Sequence, residues 1–162
     1  MYLDQQNLSS SDTTKWNNTA PTSSVFSVGT AAGTNANAGS FVAHCFAEVP
    51  GFSKIGSYVG NGSSDGPFTF MDIHPRFLLL KNKSRASNWL MFDTARDVVN
   101  TTLALREIDA NLVSVEGTSA AFDILSNGIK CRDAGGGATN YSGDTYIFMA
   151  FAECPFKYSL AR

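Results

Sequence analysis

The sequence predicts an all-β chain: a two-sheet antiparallel β-sandwich of jelly-roll or lectin-like type, built from an internal repeat, with little or no helix. Three observations carry that expectation. Residues 143–156, Gly-Asp-Thr-Tyr-Ile-Phe-Met-Ala-Phe-Ala-Glu-Cys-Pro-Phe, have a near-copy at residues 39–52, Gly-Ser-Phe-Val-Ala-His-Cys-Phe-Ala-Glu-Val-Pro-Gly-Phe. The overlay puts Phe41 on Tyr146, Val42 on Ile147, Phe46 on Phe151, Ala47 on Ala152, Glu48 on Glu153 and Pro50 on Pro155, and self-similarity of this kind comes before any other reading. Second, the 14 glycines and abundant Ser, Thr and Asn crowd the intervals between apolar runs, as short strands joined by tight turns require. Third, about ten such runs follow one another, each bounded by turn residues, which is the pattern of a sandwich.

Taken in order, residues 1–24 are polar and turn-rich, anchored only by Tyr2, Leu3 and Trp16, with a loop at residues 9–14. Residues 24–28 read as a short strand ended by Gly29, with a counterpart at residues 123–128. The Gly- and Asn-rich links 30–38 and 134–142 then feed the two long runs, each opened by a Gly-containing turn and closed by a Pro. Both runs read as central strands buried on both faces. Residues 56–70 alternate apolar and small polar side chains about a Gly-Asn-Gly and Asp-Gly-Pro tip, giving two strands and a loop. Residues 76–81 and 88–93 form a hairpin through the polar link 82–87. A further strand is expected at residues 103–108, and Asn127-Gly128 ahead of residues 129–132 is a two-residue hairpin signal. The domain organisation is thus a partial first repeat, 1–52, and a complete second repeat, 53–162, packed as one globular domain. Either the chain is a piece of a longer protein or the half unit completes the second sheet, and the first reading is preferred.

Composition excludes some partners. A net charge of -2 with 16% charged residues produces no field that would draw nucleic acid or an anionic membrane, so neither is expected. No basic and apolar leader pattern opens the sequence, and no run reaches the length of a membrane helix. Asn17-Asn18-Thr19 is formally a glycosylation sequon, with little weight in that setting. The three cysteines, Cys45, Cys131 and Cys154, are odd in number and lack metal-ligand spacing, and are expected as small core hydrophobes. No cofactor and no metal are expected; Asp65, Asp72 and His74 could meet an ion only if the hairpin loop folds back.

The residues that carry a resemblance come in a fixed order: Gly51-Phe52-Ser53-Lys54, the 60–68 tip, His74-Pro75-Arg76-Phe77 with the following leucines and Lys81, Asn88-Trp89, Asp93-Thr94-Ala95-Arg96, residues 123–128, and residues 146–153. From residue 16 onward the chain resembles a domain of unknown function common at the C-terminal ends of bacteriophage tail and tail-fibre proteins, especially in marine phages. His44 and Met149, inside the long runs, are departures that leave the fold intact. The resemblance implies a virion structural protein at or near the distal tail, made in the host cytoplasm. It implies host-surface recognition, with other virion or tail proteins and a host surface glycan as partners, and a homo-oligomer, a trimer by analogy with fibre tips. It brings no catalytic residue, and the chain is not expected to be an enzyme. The alternative is a lectin-like carbohydrate-binding domain of a larger enzyme.

Within either reading, sugar binding asks for an exposed aromatic face beside side chains that bond hydroxyls. Trp16, Asn17, Arg96 and Tyr141 are the ligand-binding candidates; Tyr58 is a weaker one, and Trp89 reads as core. Glu48 and Glu153, duplicated by the repeat, read with Asp93 as a structural ion-pair set whose cations are Arg76, Arg96 or Lys54. Asp93 and Arg96 also suit a local salt-bridge lock. A depolymerase is disfavoured because these are the only paired carboxylates. His44 is expected in the core and His74 at a strand-capping turn.

Overall fold

Alternation of apolar side chains generates the sheets of the computed structural model, which describes residues 1–96, 105–119, 121–134 and 138–154. Nine strands run β1 Ser53–Val59, β2 Phe68–Phe70, β3 Pro75–Asn82, β4 Trp89–Asp93, β5 Leu105–Asp109, β6 Gly117–Ser119, β7 Phe122–Leu125, β8 Gly128–Cys131 and β9 Thr145–Ala152. Six form an antiparallel sheet in the order β1-β9-β3-β4-β5-β6, and three form a second in the order β2-β8-β7. The described helix is confined to two single turns, α1 Thr13–Trp16 and α2 Ala32–Asn35.

The period of two decides which side chains go inside. In β9, Tyr146, Phe148 and Ala150 are buried, while Ile147, Met149 and Phe151 point the other way and are half-buried. The register aligns the same division across the sheet: Leu78 lies beside Ala150 and Phe92, and Leu80 beside Phe148 and Leu90. One hydrophobic cluster combines these inner-face residues with Phe122, Ile124 and Ile129 of the small sheet. Phe122 meets Phe92 edge-on at 5.6 Å and Tyr58 at 6.5 Å.

The expected hairpin of residues 76–93 is present as β3 and β4. The hairpin at Asn127-Gly128 is present one residue out of step. Its loop is Ser126-Asn127, and Gly128 already pairs with Phe70 of β2, so close that a Cβ there would sit 2.1 Å from the Thr69 carbonyl oxygen. The strands expected between residues 56 and 70 exist as β1 and β2 but belong to different sheets. The strand expected at 103–108 is β5 from Leu105 onward, residues 103 and 104 lying outside the described residues.

Two strand expectations are corrected. Residues 41–48 and 24–28 hold no strand, and Val42 is 84% exposed, with Phe41, Phe46, Val25 and Phe26 also in solvent. Residues 41–48 therefore do not share the environment of their copy, of which Pro155 and Phe156 lie outside the described residues. The reason is pairing: β9 is central because β1 and β3 flank it, whereas residues 41–46 fall in a stretch with no described strand to bond. For the same reason His44, Cys45 and, beyond the end of β9, Cys154 are exposed rather than core; Cys131 alone of the three cysteines is buried.

The chain divides into two compact units, Met1–Ser9 with Ala47–Arg162, and Ser10–Phe46. In the second, Asp12 caps α1 by accepting from the Thr14 amide, and Asn17 ends it in the left-handed conformation. Gly29 donates to the Lys15 carbonyl at 2.8 Å, an approach only a glycine permits, since a Cβ would lie 2.0 Å from the Thr14 oxygen.

Candidate functional site

The side of the large sheet that turns away from the core is apolar too. Ile55, Leu79, Trp89, Ile147 and Met149 line a groove there of about 410 Å³. The register places them together: Ile55 and Leu79 flank Met149, and Lys81 lies between Ile147 and Trp89. Trp89, expected in the core, is instead half-buried on this outer side because its position in β4 has the opposite parity to Leu90 and Phe92.

Residues 1–9 cover one end of this face. The Trp89 indole donates to the Tyr2 carbonyl at 2.8 Å, Gln6 bonds Asn88 at 2.6 Å, and Ser9 donates its amide to the Lys83 carbonyl at 3.0 Å. Beneath them Lys81 is 0% exposed, its ammonium donating to the Gln6 carbonyl at 3.2 Å and to Ser87 at 2.8 Å (carbonyl) and 3.3 Å (hydroxyl). Burial pushes its pKa down. Sequence reasoning did not single out Lys81, although a lysine in phase with Phe77 and Leu79 is a local signal.

A second cluster is polar. Asn140, 0% exposed, donates to the Asp133 carbonyl at 2.7 Å, the Ser63 carbonyl at 2.8 Å and the Asn61 side chain at 3.1 Å, and accepts from the Asn61 amide at 2.9 Å. This knot ties the 60–66 tip to Asp133 and to the turn just ahead of Tyr141. Beside it the Arg85 guanidinium stacks 3.9 Å above the Tyr141 ring and pairs with the Asp144 carboxylate, which also accepts from Asn82 at 2.6 Å.

These hydrogen bonds, from Arg85 first and Asn82 second, hold the Asp144 carboxyl below its ordinary range, outweighing the raising effect of burial. A carboxyl whose folded pKa is depressed contributes stability that is present above its unfolded pKa and lost as the pH falls through the folded value. The melting temperature is thus expected to drop as the pH is lowered from about 4, the unfolded aspartate value, and Asp144→Asn is expected to flatten that decline. An unchanged acid limb in the variant would remove Asp144 from the account.

The candidates named from sequence separate. Trp16 (54% exposed, its ring 6.4 Å from that of Phe26) and Asn17 belong to the unit Ser10–Phe46. Arg96 and Tyr141 belong to the other unit, on different loops. Arg96 pairs with Glu116 at 2.8 Å, and one face of Tyr141 is already covered by Arg85. Tyr58 is buried, stacked on Tyr146 at 4.9 Å, with its hydroxyl donating to the Thr139 carbonyl at 2.7 Å. It offers no face to a sugar.

The carboxylates sit on the surface, not against the interior. Glu48 pairs with Lys54 at 2.9 Å, and Glu153 lies 3.8 Å from Arg76, which pairs with Asp93 at 3.1 Å. His74 stands 3.0 Å from Glu153, without hydrogen-bond geometry. The expected Asp93–Arg96 salt-bridge lock is corrected: Asp93 does cap the turn by accepting from the Ala95 amide, but its cation is Arg76. Exposed pairs of this kind hold strand ends in register and contribute little to stability. Among the described residues no three His, Cys, Asp or Glu side chains are grouped to hold a metal ion, and no helix is long and apolar enough to cross a membrane.

Two antiparallel sheets, the larger with an open apolar groove on its outer side, define a β-rich protein. The chain belongs to the family described as a domain of unknown function, DUF7483, whose model matches residues 1–155. No curated protein and no solved structure matches it.

Proposed function

We propose that the chain is a virion structural module of a bacteriophage, a tail-fibre or distal-tail β-sandwich of jelly-roll or lectin-like type, working by assembly and host-surface recognition. The observation that carries this reading is the groove on the outer side of the large sheet, with Ile55, Leu79, Trp89, Ile147 and Met149 on a surface of low charge. Apolar area left half open on a rigid sheet suits contact with another macromolecule. The ordered motifs quoted from the sequence support the phage assignment, and the likeness of residues 39–52 to 143–156 supports descent from an internal repeat. Other tail proteins are the assembly partners, and a homo-oligomer is the proposed state. A host surface glycan is the proposed receptor; Trp16 and Asn17 are the proposed contacts on the unit Ser10–Phe46, and Arg96 and Tyr141 are separate candidates on the other unit. The site of action is the virion.

The alternative, a lectin-like carbohydrate-binding domain of a larger enzyme, is favoured by one observation, the exposed Trp16 ring beside the left-handed Asn17. A glycan array and a host-cell adsorption assay test both. Binding to host cells, lost on Trp16→Ala, supports recognition by this chain. Absence of binding in both assays overturns recognition and leaves assembly to be judged by light scattering, where a monomer at micromolar concentration would count against it.

A further inference from the structure

We propose that the outer edge of β1 joins a second copy of this chain, β1 against β1, across a two-fold axis at Ser57. This goes beyond the function proposed above and stands or falls separately from it.

β1 is the terminal strand of the large sheet. The direction of its backbone groups follows from the bonds at its two ends. Phe52 accepts from the Ala152 amide at 2.8 Å and Gly60 donates to the Asp144 carbonyl at 2.9 Å, so even-numbered residues address β9. The alternation of an antiparallel ladder then turns Ser53, Ile55, Ser57 and Val59 to the other side. The Val49 amide, donating to the Ser53 carbonyl at 3.2 Å, agrees. Among the described residues no further strand pairs with that side.

Sheet edges in monomeric proteins are blunted by charge, proline or bulges. Residues 55–59, Ile-Gly-Ser-Tyr-Val, contain none of these, and Ile55 and Val59 are 36% and 57% exposed. Three edge groups are engaged among the described residues: the Ser53 amide and carbonyl bond Val49 at 2.9 and 3.2 Å, and the Ile55 amide donates to the Glu48 carboxylate, which Lys54 also holds, so that pairing at Ile55 requires Glu48 to release that donor.

A two-fold centred on Ser57 brings the exposed apolar side chains of the two edges together. An antiparallel pair centred there sets Ile55 opposite Val59 of the second copy and Val59 opposite its Ile55. Lys54 falls opposite Gly60, so no like charges meet. Such an isologous contact is self-complementary and closes on itself. It extends the groove-bearing face across the seam, joining Ile55, Ile147 and Met149 of both copies.

The test uses charge on the axis. By light scattering and sedimentation the full chain is expected at twice the mass of one chain. Ser57→Lys and Ser57→Glu, each on an exposed side chain and checked by circular dichroism for folding, are each expected to sediment as single chains. An equimolar mixture of the two is expected to regain the doubled mass. Hydrogen exchange at the Ile55, Ser57 and Val59 amides is expected to slow with concentration in the unsubstituted chain and not in the variants. A single-chain mass with these amides already protected would mean that another part of the same chain covers the edge, and would overturn the proposal. So would a doubled mass unaffected by either substitution. A trimer whose mass ignores Ser57 would likewise overturn it while leaving the assembly reading intact.

Discussion

Asn140→Ala is expected to destabilise the chain by about 3 kcal/mol, because it removes four part-buried hydrogen bonds of one fully buried side chain at once. The Asp133 and Ser63 carbonyls each lose a donor, and the Asn61 amide loses the side-chain oxygen it bonds at 2.9 Å. Gly60 and Gly66 pack closely around this side chain, a Cβ on either lying about 3.1 Å from one of its terminal atoms. Urea unfolding monitored by circular dichroism measures the loss directly. Hydrogen exchange adds a local readout, since the Asn61 amide should exchange faster than those of β3. A loss below about 1 kcal/mol, typical of an ordinary surface change, would show that the knot is not what anchors the 60–66 tip.

Phe92→Ala is expected to cost about 3–5 kcal/mol, the range for deleting a buried aromatic ring and leaving a cavity. The ring is 1% exposed, sits beside Leu78 in the register, and meets Phe122 of the other sheet edge-on at 5.6 Å. It therefore joins the two sheets as well as filling space. Phe92→Leu, which keeps most of the volume and loses the ring contact, should cost clearly less. Chemical unfolding of both variants checks the order, and equal losses would mean that the edge-on geometry, rather than packed volume, dominates at this position.

What the sequence made legible was local and periodic. β9 and the β3–β4 hairpin could be read because apolar alternation and a polar link are each written within a dozen residues. The β7–β8 hairpin was visible from its Asn-Gly step, misjudged by one position because Gly128 answers to the approach of Thr69 rather than to the turn. The strands at 24–28 and 41–48 were misread because their side chains suit a sheet, yet a strand exists only where neighbours supply the ladder. Residues of the candidate sites divide the same way. Trp16 could be recognised as exposed from its polar surroundings. Nothing near Tyr58 in sequence distinguishes a wet phenol from one stacked on Tyr146, and nothing near Asn140 announces four simultaneous bonds, since its partners come from residues 61, 63 and 133. The groove escaped notice because it is assembled from four strands.

The lodging of Lys81 under residues 1–9 makes this leading stretch part of the architecture rather than a dangling lead. Trimming it would strip an ammonium of the Gln6 oxygen and uncap an indole together, turning a sealed corner of the sheet into wet, reactive surface. A short ribbon thus acts as the gasket of one end of the outer side.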